Sequence, residues 1–330
     1  MTVPLSILDL APLRPGQSVS DSLAASVTLA QRAEQYGYLR VWYAEHHNNA
    51  TIASSAPAVL IAHVGAFTRT IRLGAGGVML PNHAPLTIAE QFGTLEALYP
   101  GRIDLGLGRA PGTDHAAMRA LRRYAASADH FPQDILELRG YFSGETVMPG
   151  VEATPGKGMQ VPLYILGSST YGAHLAAMLG LPYAFASHFA PQALEEAVVI
   201  YRREFRPSAQ LAEPYVIAGV NAIAADTTEE AREQLLVAQR HRVNARLGRG
   251  RVFSDEEADS LLRSPAGEQI LETFTYTAVG DPVEVGEYVA WFAKHAQADE
   301  LIVAHLLVPI EARLRSVELL AESVGQSRAA

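Results

Sequence analysis

Glu45-His46-His47 sets a carboxylate beside two imidazoles, directly after the apolar run Tyr38-Leu-Arg-Val-Trp-Tyr-Ala44. Histidine exchanges protons near neutral pH, and an adjacent carboxylate can orient a ring or raise its pKa. The same residues could also be hydrogen-bonding histidines that shape a turn. A metal site is the third reading, and geometry speaks against it. Neighbouring residues on an extended segment point to opposite sides, so His46 and His47 would not share one ion, and no His-Glu-x-x-His helix occurs.

Three further segments have the composition of a binding site. Leu73-Gly-Ala-Gly-Gly-Val78 combines Gly76 and Gly77 with a third glycine, as fits a bend or a flat ligand lying against the chain; Pro81-Asn82-His83 follows. Leu105-Gly-Leu-Gly-Arg-Ala-Pro-Gly112 contains Gly108 and Arg109. Its spacing, its place after three earlier units and Pro111 do not fit a dinucleotide-binding turn. Arg109 is either a cation for a phosphate or a surface arginine. Leu166-Gly-Ser-Ser-Thr-Tyr-Gly172 brings Ser168, Ser169 and Gly172 to a helix start, which makes either an anion site or a plain Ser/Thr cap.

The elements that must position these residues follow from periodicity. Short apolar runs alternate with segments of helical period, the pattern of βα units around a parallel sheet. Strands are expected at Leu5–Leu8, Tyr38–Ala44, Ile71–Gly74, Ile103–Leu107, Leu163–Leu166, Tyr183–Ala186, Tyr215–Ala224 and Leu301–Leu306. Helices are expected between them, for example from Pro57, Pro85 and Thr228, where proline or Thr favours a first turn. Eight units favour a (β/α)8 TIM barrel over a doubly wound sheet, with residues 1–330 as one domain. Irregular insertions are expected at about 113–130, 144–162 and 245–275, the last between strands seven and eight. Active sites of such barrels sit on the loops at the carboxyl ends of strands, where Glu45, Gly76, Arg109 and Ser168 all fall.

Composition narrows the chemistry. The 330 residues include no cysteine, which removes disulfides, thiolate metal sites, iron–sulfur clusters and a thiol nucleophile. A formal charge of -9 argues against a nucleic-acid partner. The amino terminus lacks a basic leader and no apolar run approaches the roughly 20 residues of a membrane span, so a soluble, cytoplasmic protein is expected.

Ala44-Glu-His-His-Asn48, Gly76-Gly-Val-Met-Leu-Pro-Asn-His83, Glu90-Gln-Phe-Gly-Thr-Leu-Glu-Ala-Leu-Tyr-Pro-Gly-Arg-Ile-Asp104 and Leu105-Gly-Leu-Gly-Arg-Ala-Pro-Gly-Thr-Asp114 occur in an order that resembles the bacterial luciferase-like family of flavin-dependent monooxygenases. The likeness extends from Ser6 to about Val308 and is nearest to the single-chain branch. It implies a barrel with a late insertion, His46 as catalytic acid/base beside Glu45, and His47 as a structural neighbour. It also implies a non-proline cis peptide at Gly76-Gly77 under the flavin ring. Flavin phosphate would be held by Arg109, Ser168, Ser169 and Gly172. The light-emitting enzyme has a reactive cysteine where this chain has Gly108, so bioluminescence is not implied, and more room beside the ring is expected.

The resemblance further implies that reduced FMN (FMNH2), supplied by a separate NAD(P)H-dependent flavin reductase, reacts with O2 to give a C4a-peroxyflavin that oxidises a small organic substrate. Two alternatives are a hydride-transferring enzyme of the same fold that uses the deazaflavin F420, with Arg122 and Arg123 near its longer acidic tail, and a flavin-binding protein without turnover. A homodimer through the second and third helices is expected from the family.

Overall fold

A computed structural model describes residues 3–326 except 15, 111, 146, 147, 249 and 308; Pro111 and Val308 therefore lie outside the described residues. The chain runs β1 (Leu5–Asp9), α1 (Val19–Gln35), β2 (Arg40–Tyr43), α2 (Pro57–Gly65), β3 (Arg72–Met79), α3 (Pro85–Leu98), β4 (Ile103–Gly108) and α4 (His115–Ala120). It continues through α5 (Phe131–Ser143), β5 (Leu163–Gly167), α6 (Thr170–Leu179), β6 (Tyr183–Phe185), α7 (Leu194–Glu204) and β7 (Val216–Ala224). The last part comprises α8 (Thr228–Leu247), α9 (Asp255–Leu262), α10 (Pro265–Glu272), β8 (Thr277–Gly280), α11 (Pro282–His295), β9 (Glu300–His305) and α12 (Ile310–Ser323).

Strands β1 to β7 and then β9 pair in parallel around a closed ring, β9 returning to β1 through Ser6 opposite Ile302. This is the expected (β/α)8 barrel. Helix starts follow the local chemistry: Ser18 and Asp281 close capping boxes at α1 and α11, and Pro85 opens α3. The large apolar core lies between strands and helices, with Ile7, Val41, Leu73, Leu105 and Val303 facing outward into it. Among the described residues no helix is long and apolar enough to cross a membrane.

Three expectations change in detail. Strand three does not stop at Gly74 but continues through the glycines to Met79, with a register shift between Ala75 and Val78. The region 113–130 contains only the short α4 and a 3-10 segment, Ala125–His130. The late insertion is more ordered than its rhythm implied. After α9 and α10 it ends in β8, which pairs with Asn221–Ala224 outside the ring, while β6 pairs with Val216–Ala218 on the same edge of β7. Four residues, Thr-Ala-Val-Gly, are too few for alternation to mark a strand.

The ring is filled in layers. At its amino end Arg40 donates two hydrogen bonds to Glu300 at 2.9 and 3.0 Å and one each to Asp104 and Tyr164 at 2.7 Å. Ser6 and Tyr215 also donate to Glu300, Trp42 donates to Asp104 at 3.1 Å, and Arg72 to Asp104 at 3.0 Å. Burial alone would lower the Arg40 pKa, but Glu300 and Asp104 hold it above its ordinary value. Burial pushes the Glu300 carboxyl up, and Arg40 pulls it back only in part. Above this layer sit Leu8, Trp42, Tyr164, Ile217 and Ile302.

Further along the inward faces of six strands the side chains shrink, to Ala44, Gly76, Gly108, Ala186, Gly219 and Ala304, while Leu10 and Leu166 stay large at the ends of β1 and β5. The barrel is thus plugged at its base and open at its carboxyl end. Replacing Arg40 by Met leaves the buried Glu300 without its cation and Asp104 with Arg72 alone, and should cost about 3–5 kcal/mol of stability. Urea unfolding followed by fluorescence measures this, and an unchanged midpoint would refute the assigned role of the network.

Candidate active site

Glu45 stands one residue past the inward Ala44 and is only 1% exposed. Its Oε1 accepts from His47 Nε2 at 2.8 Å and lies 2.9 Å from His83 Nε2, while Oε2 accepts from the Met79 N–H at 2.9 Å. The Asn82 amide adds a longer contact at 3.3 Å. Burial opposes the charge on Glu45, yet these hydrogen bonds with His83, His47 and Met79 hold its pKa below the usual carboxylate value. The carboxylate therefore ties the end of β3 and the Leu80–Asn82 turn to the loop after β2. It makes no hydrogen bond to His46, the ring beside it in sequence. Of the two rings beside it, the carboxylate orients that of His47, because extended geometry sends Glu45 and His47 to one side and His46 to the other.

His46 is fixed through its backbone, whose N–H donates to Ser54 O at 3.0 Å. Ser54 Oγ in turn donates to Ala44 O, so the loop closes on itself. The His46 ring is half-buried, and Nδ1 is buried without a hydrogen-bond partner. Burial lowers its pKa, Glu45 raises it and His47 lowers it, for a net shift downward. Burial thus favours the neutral form of the ring and leaves its Nδ1 without a protein partner.

The two glycines lie on the neighbouring strand, β3. The Gly76-Gly77 peptide is cis, as expected. A Cβ on Gly76 would stand 2.9 Å from Trp42 Cβ, and one on Gly77 2.7 Å from Gly106 O, so neither position admits a side chain without backbone movement. Gly108 differs from expectation. A Cβ there would meet Met79 Sδ at 2.8 Å, so the methionine sulfur fills the space that glycine was expected to free. Met79 escaped notice because it is distant in sequence and carries no charge.

At another part of the rim Arg109 lies with its guanidinium carbon 4.2 Å from the centre of the Tyr171 ring, which places it at the amino end of α6. Among the described residues its only hydrogen bond is a long one, 3.4 Å to Ala128 O, and no carboxylate pairs with it. Ser168 and Ser169 are exposed, and Ser169 is the N-cap but makes no side-chain cap bond. The first N–H groups of α6, including that of Gly172, have no acceptor within the helix. Gly172 itself is buried against Tyr183, where a Cβ would come within 3.1 Å of the ring. Hydroxyls, free N–H groups, helix dipole and an uncompensated arginine together suit a phosphate.

A second histidine enters that sequence did not single out. His188, on the turn after β6, has a buried Nδ1 with no partner; Gly219 on β7 makes room for it, since a Cβ there would lie 2.3 Å from that nitrogen. Burial, Arg242 and His46 push its pKa down to about 3.

The family model described as luciferase-like monooxygenase matches residues 3–298. The chain belongs to the luciferase-like monooxygenase family. An Escherichia coli K12 protein named luciferase-like monooxygenase is 46% identical over 96% of both chains. The solved structure of apo-MsnO8 shares 36% identity and a TM-score of 0.88 over 99% of this chain and 100% of that one. Two more distant structures share the fold. One is the oxygenating component of 3,6-diketocamphane monooxygenase from Pseudomonas putida in complex with FMN (TM-score 0.74, 17% identity, 98% of each chain). The other is an F420-dependent secondary alcohol dehydrogenase (TM-score 0.71, 16% identity, 98% of this chain and 99% of that one). Membership of the family gives the chain an oxidoreductase role.

His188 offers a direct check on the electrostatics. Its folded pKa lies below the roughly 6.5 of the unfolded chain, so it favours folding above that pH, and this contribution is lost as pH falls from about 6.5 toward 3. At pH 5 the loss is about 2 kcal/mol. NMR of the imidazole nitrogens should show His188 still neutral at pH 5. A midpoint near 6.5 would contradict the site as described.

Proposed function

We propose that the protein is a flavin-dependent monooxygenase that binds reduced FMN in the barrel mouth, receives it from a separate NAD(P)H-dependent flavin reductase, and oxygenates a small organic substrate. What supports this reading is the cis Gly76-Gly77 peptide on β3 and the unpartnered His46 Nδ1 just past the neighbouring β2, together with Arg109, which no carboxylate among the described residues neutralises, at the amino end of α6. A flat ring system bearing a phosphate fits these features.

Gly76 and Gly77 would lie under the ring and Met79 would fill the space at Gly108. Arg109, Ser168, Ser169 and the α6 N–H groups including that of Gly172 would hold the phosphate. Reduced FMN, when bound, supplies the activation of O2, which is chemistry of the cofactor. The protein supplies position, dryness and protons. His46, whose neutral form burial favours, accepts or returns a proton at Nδ1; Glu45 positions the turn that carries it and does not itself reach the ring. The F420 reading is favoured by Arg122, which is exposed at the same rim, whereas Arg123 is engaged by Asn82 O.

Anaerobic fluorescence titration tests the assignment. Arg109→Ala should weaken reduced FMN binding by about tenfold or more while leaving riboflavin affinity unchanged, because only the phosphate contact is lost. His46→Asn should retain FMN binding and lose about 10²–10⁴ in turnover of any oxygenated substrate. Wild-type protein that binds neither FMN nor F420, or that returns reduced-FMN reoxidation traces identical to those of the free cofactor, would overturn the reading. Preference for F420 in the same titration would replace O2 chemistry with hydride transfer.

A further inference from the structure

Helix α8 carries an arginine that no acid among the described residues neutralises. Arg40, Arg72, Arg202, Arg240, Arg313 and Arg315 each hold an Asp or Glu. Arg240, two residues before, is clamped by Asp255 and Asp259 of α9 at 2.6 Å. Arg242 is half-buried, its guanidinium carbon 5.6 Å from the centre of the Phe274 ring, and among the described residues no carboxylate pairs with it. Burial and the nearby Arg246 lower its pKa, whereas Arg40, Arg72 and Arg240, which have acids beside them, are raised.

Its location is the barrel mouth. The apolar side of α8, Ala231, Leu235 and Ala238, packs on Ile223 at the end of β7, on Val279 of β8 and on Leu306 and Leu307 just past β9. The charge of Arg242 reaches His188, and so does that of His46, so His188 stands within the field of both. Two buried imidazole nitrogens without partners, His46 Nδ1 and His188 Nδ1, therefore share a region with an unpaired guanidinium. In a protein of net charge -9, no acid among the described residues faces Arg242, and the charge nearest to it is that of Arg246. A guanidinium cannot shed its proton in a protein, so leaving it partly desolvated and unpaired is costly unless a ligand brings the opposite charge.

The flavin phosphate is poorly placed to be that ligand. Arg109 and α6 follow β4 and β5, whereas α8 covers the ends of β7 and β9, and β4 stands directly across the ring from β9. We propose that Arg242 binds a carboxylate on the organic substrate, with His188 lining the path from that carboxylate to His46, so that the enzyme acts on anionic rather than neutral molecules. The proposal names the substrate class for the monooxygenase reading above and rests on it for the reaction, although carboxylate binding itself needs no flavin.

Calorimetric titration of the full-length protein, with and without FMN, against phenylalkanoates of two to six carbons and their uncharged amides tests this. At least one acid should bind about tenfold or more tightly than its amide. Arg242→Gln should abolish that difference, Arg242→Lys should restore part of it, and neither should change FMN affinity by more than about twofold. Equal binding of acids and amides by the wild type, or a preference that survives Arg242→Gln, overturns the proposal. Loss of FMN binding in Arg242→Gln overturns it as well, by making Arg242 a cofactor ligand. Arg242-dependent carboxylate binding in a protein that fails to bind any flavin would sustain the anion site while removing the monooxygenase reading.

Discussion

The ionic layer around Arg40 is the constraint on which the rest of the barrel depends. One guanidinium is held by carboxylates from β4 and β9 and a hydroxyl from β5, and Ser6, Arg72 and Tyr215 extend the contact to β1, β3 and the start of β7. Each of these groups is satisfied in one strand register only. A slip by one residue would turn Arg40 or Glu300 out of the ring and leave its partners charged and dry. With registers set at the amino end, the heights of Ala44, Gly76, Gly108 and Gly219 at the carboxyl end are set as well.

That end has its own economy of charge. Glu45 is the acid at the turn and is fully engaged by donors, while burial favours the neutral forms of His46 and His188. On the proposed reading a bound flavin would meet uncharged donors and acceptors along its ring and the positive charge of Arg109 at its phosphate. Low dielectric surroundings strengthen whatever polar contacts remain there.

Much of this was legible before any coordinates. Alternation of short apolar runs and helical segments marks the barrel, because each βα unit must bury one face of a helix on the sheet. Glycines 76 and 77, Arg109 and Ser169 were all visible as residues at strand ends. What sequence hid were relations across long separations. Glu45 adjoins His46 in sequence but is held by His83, 38 positions away, and Met79 fills a space that belongs to Gly108. β8 was too short for a periodic signal, and Arg242 sat in a charged helix that resembles a solvated one until its lack of a partner is seen.

The overhang of β7 has a consequence for how such a protein can diverge. Its first residues complete the ring with β6 and its last ones carry β8, so the segment from 225 to 276 joins the barrel through that edge and through the packing of α8 on Ile223, Leu306 and Leu307. None of the residues assigned to the glycine floor, the phosphate corner or the Glu45 turn lies in that segment. It behaves as an exchangeable cassette: new chemistry in the roof can be sampled by mutation or insertion while the machinery beneath is inherited unchanged.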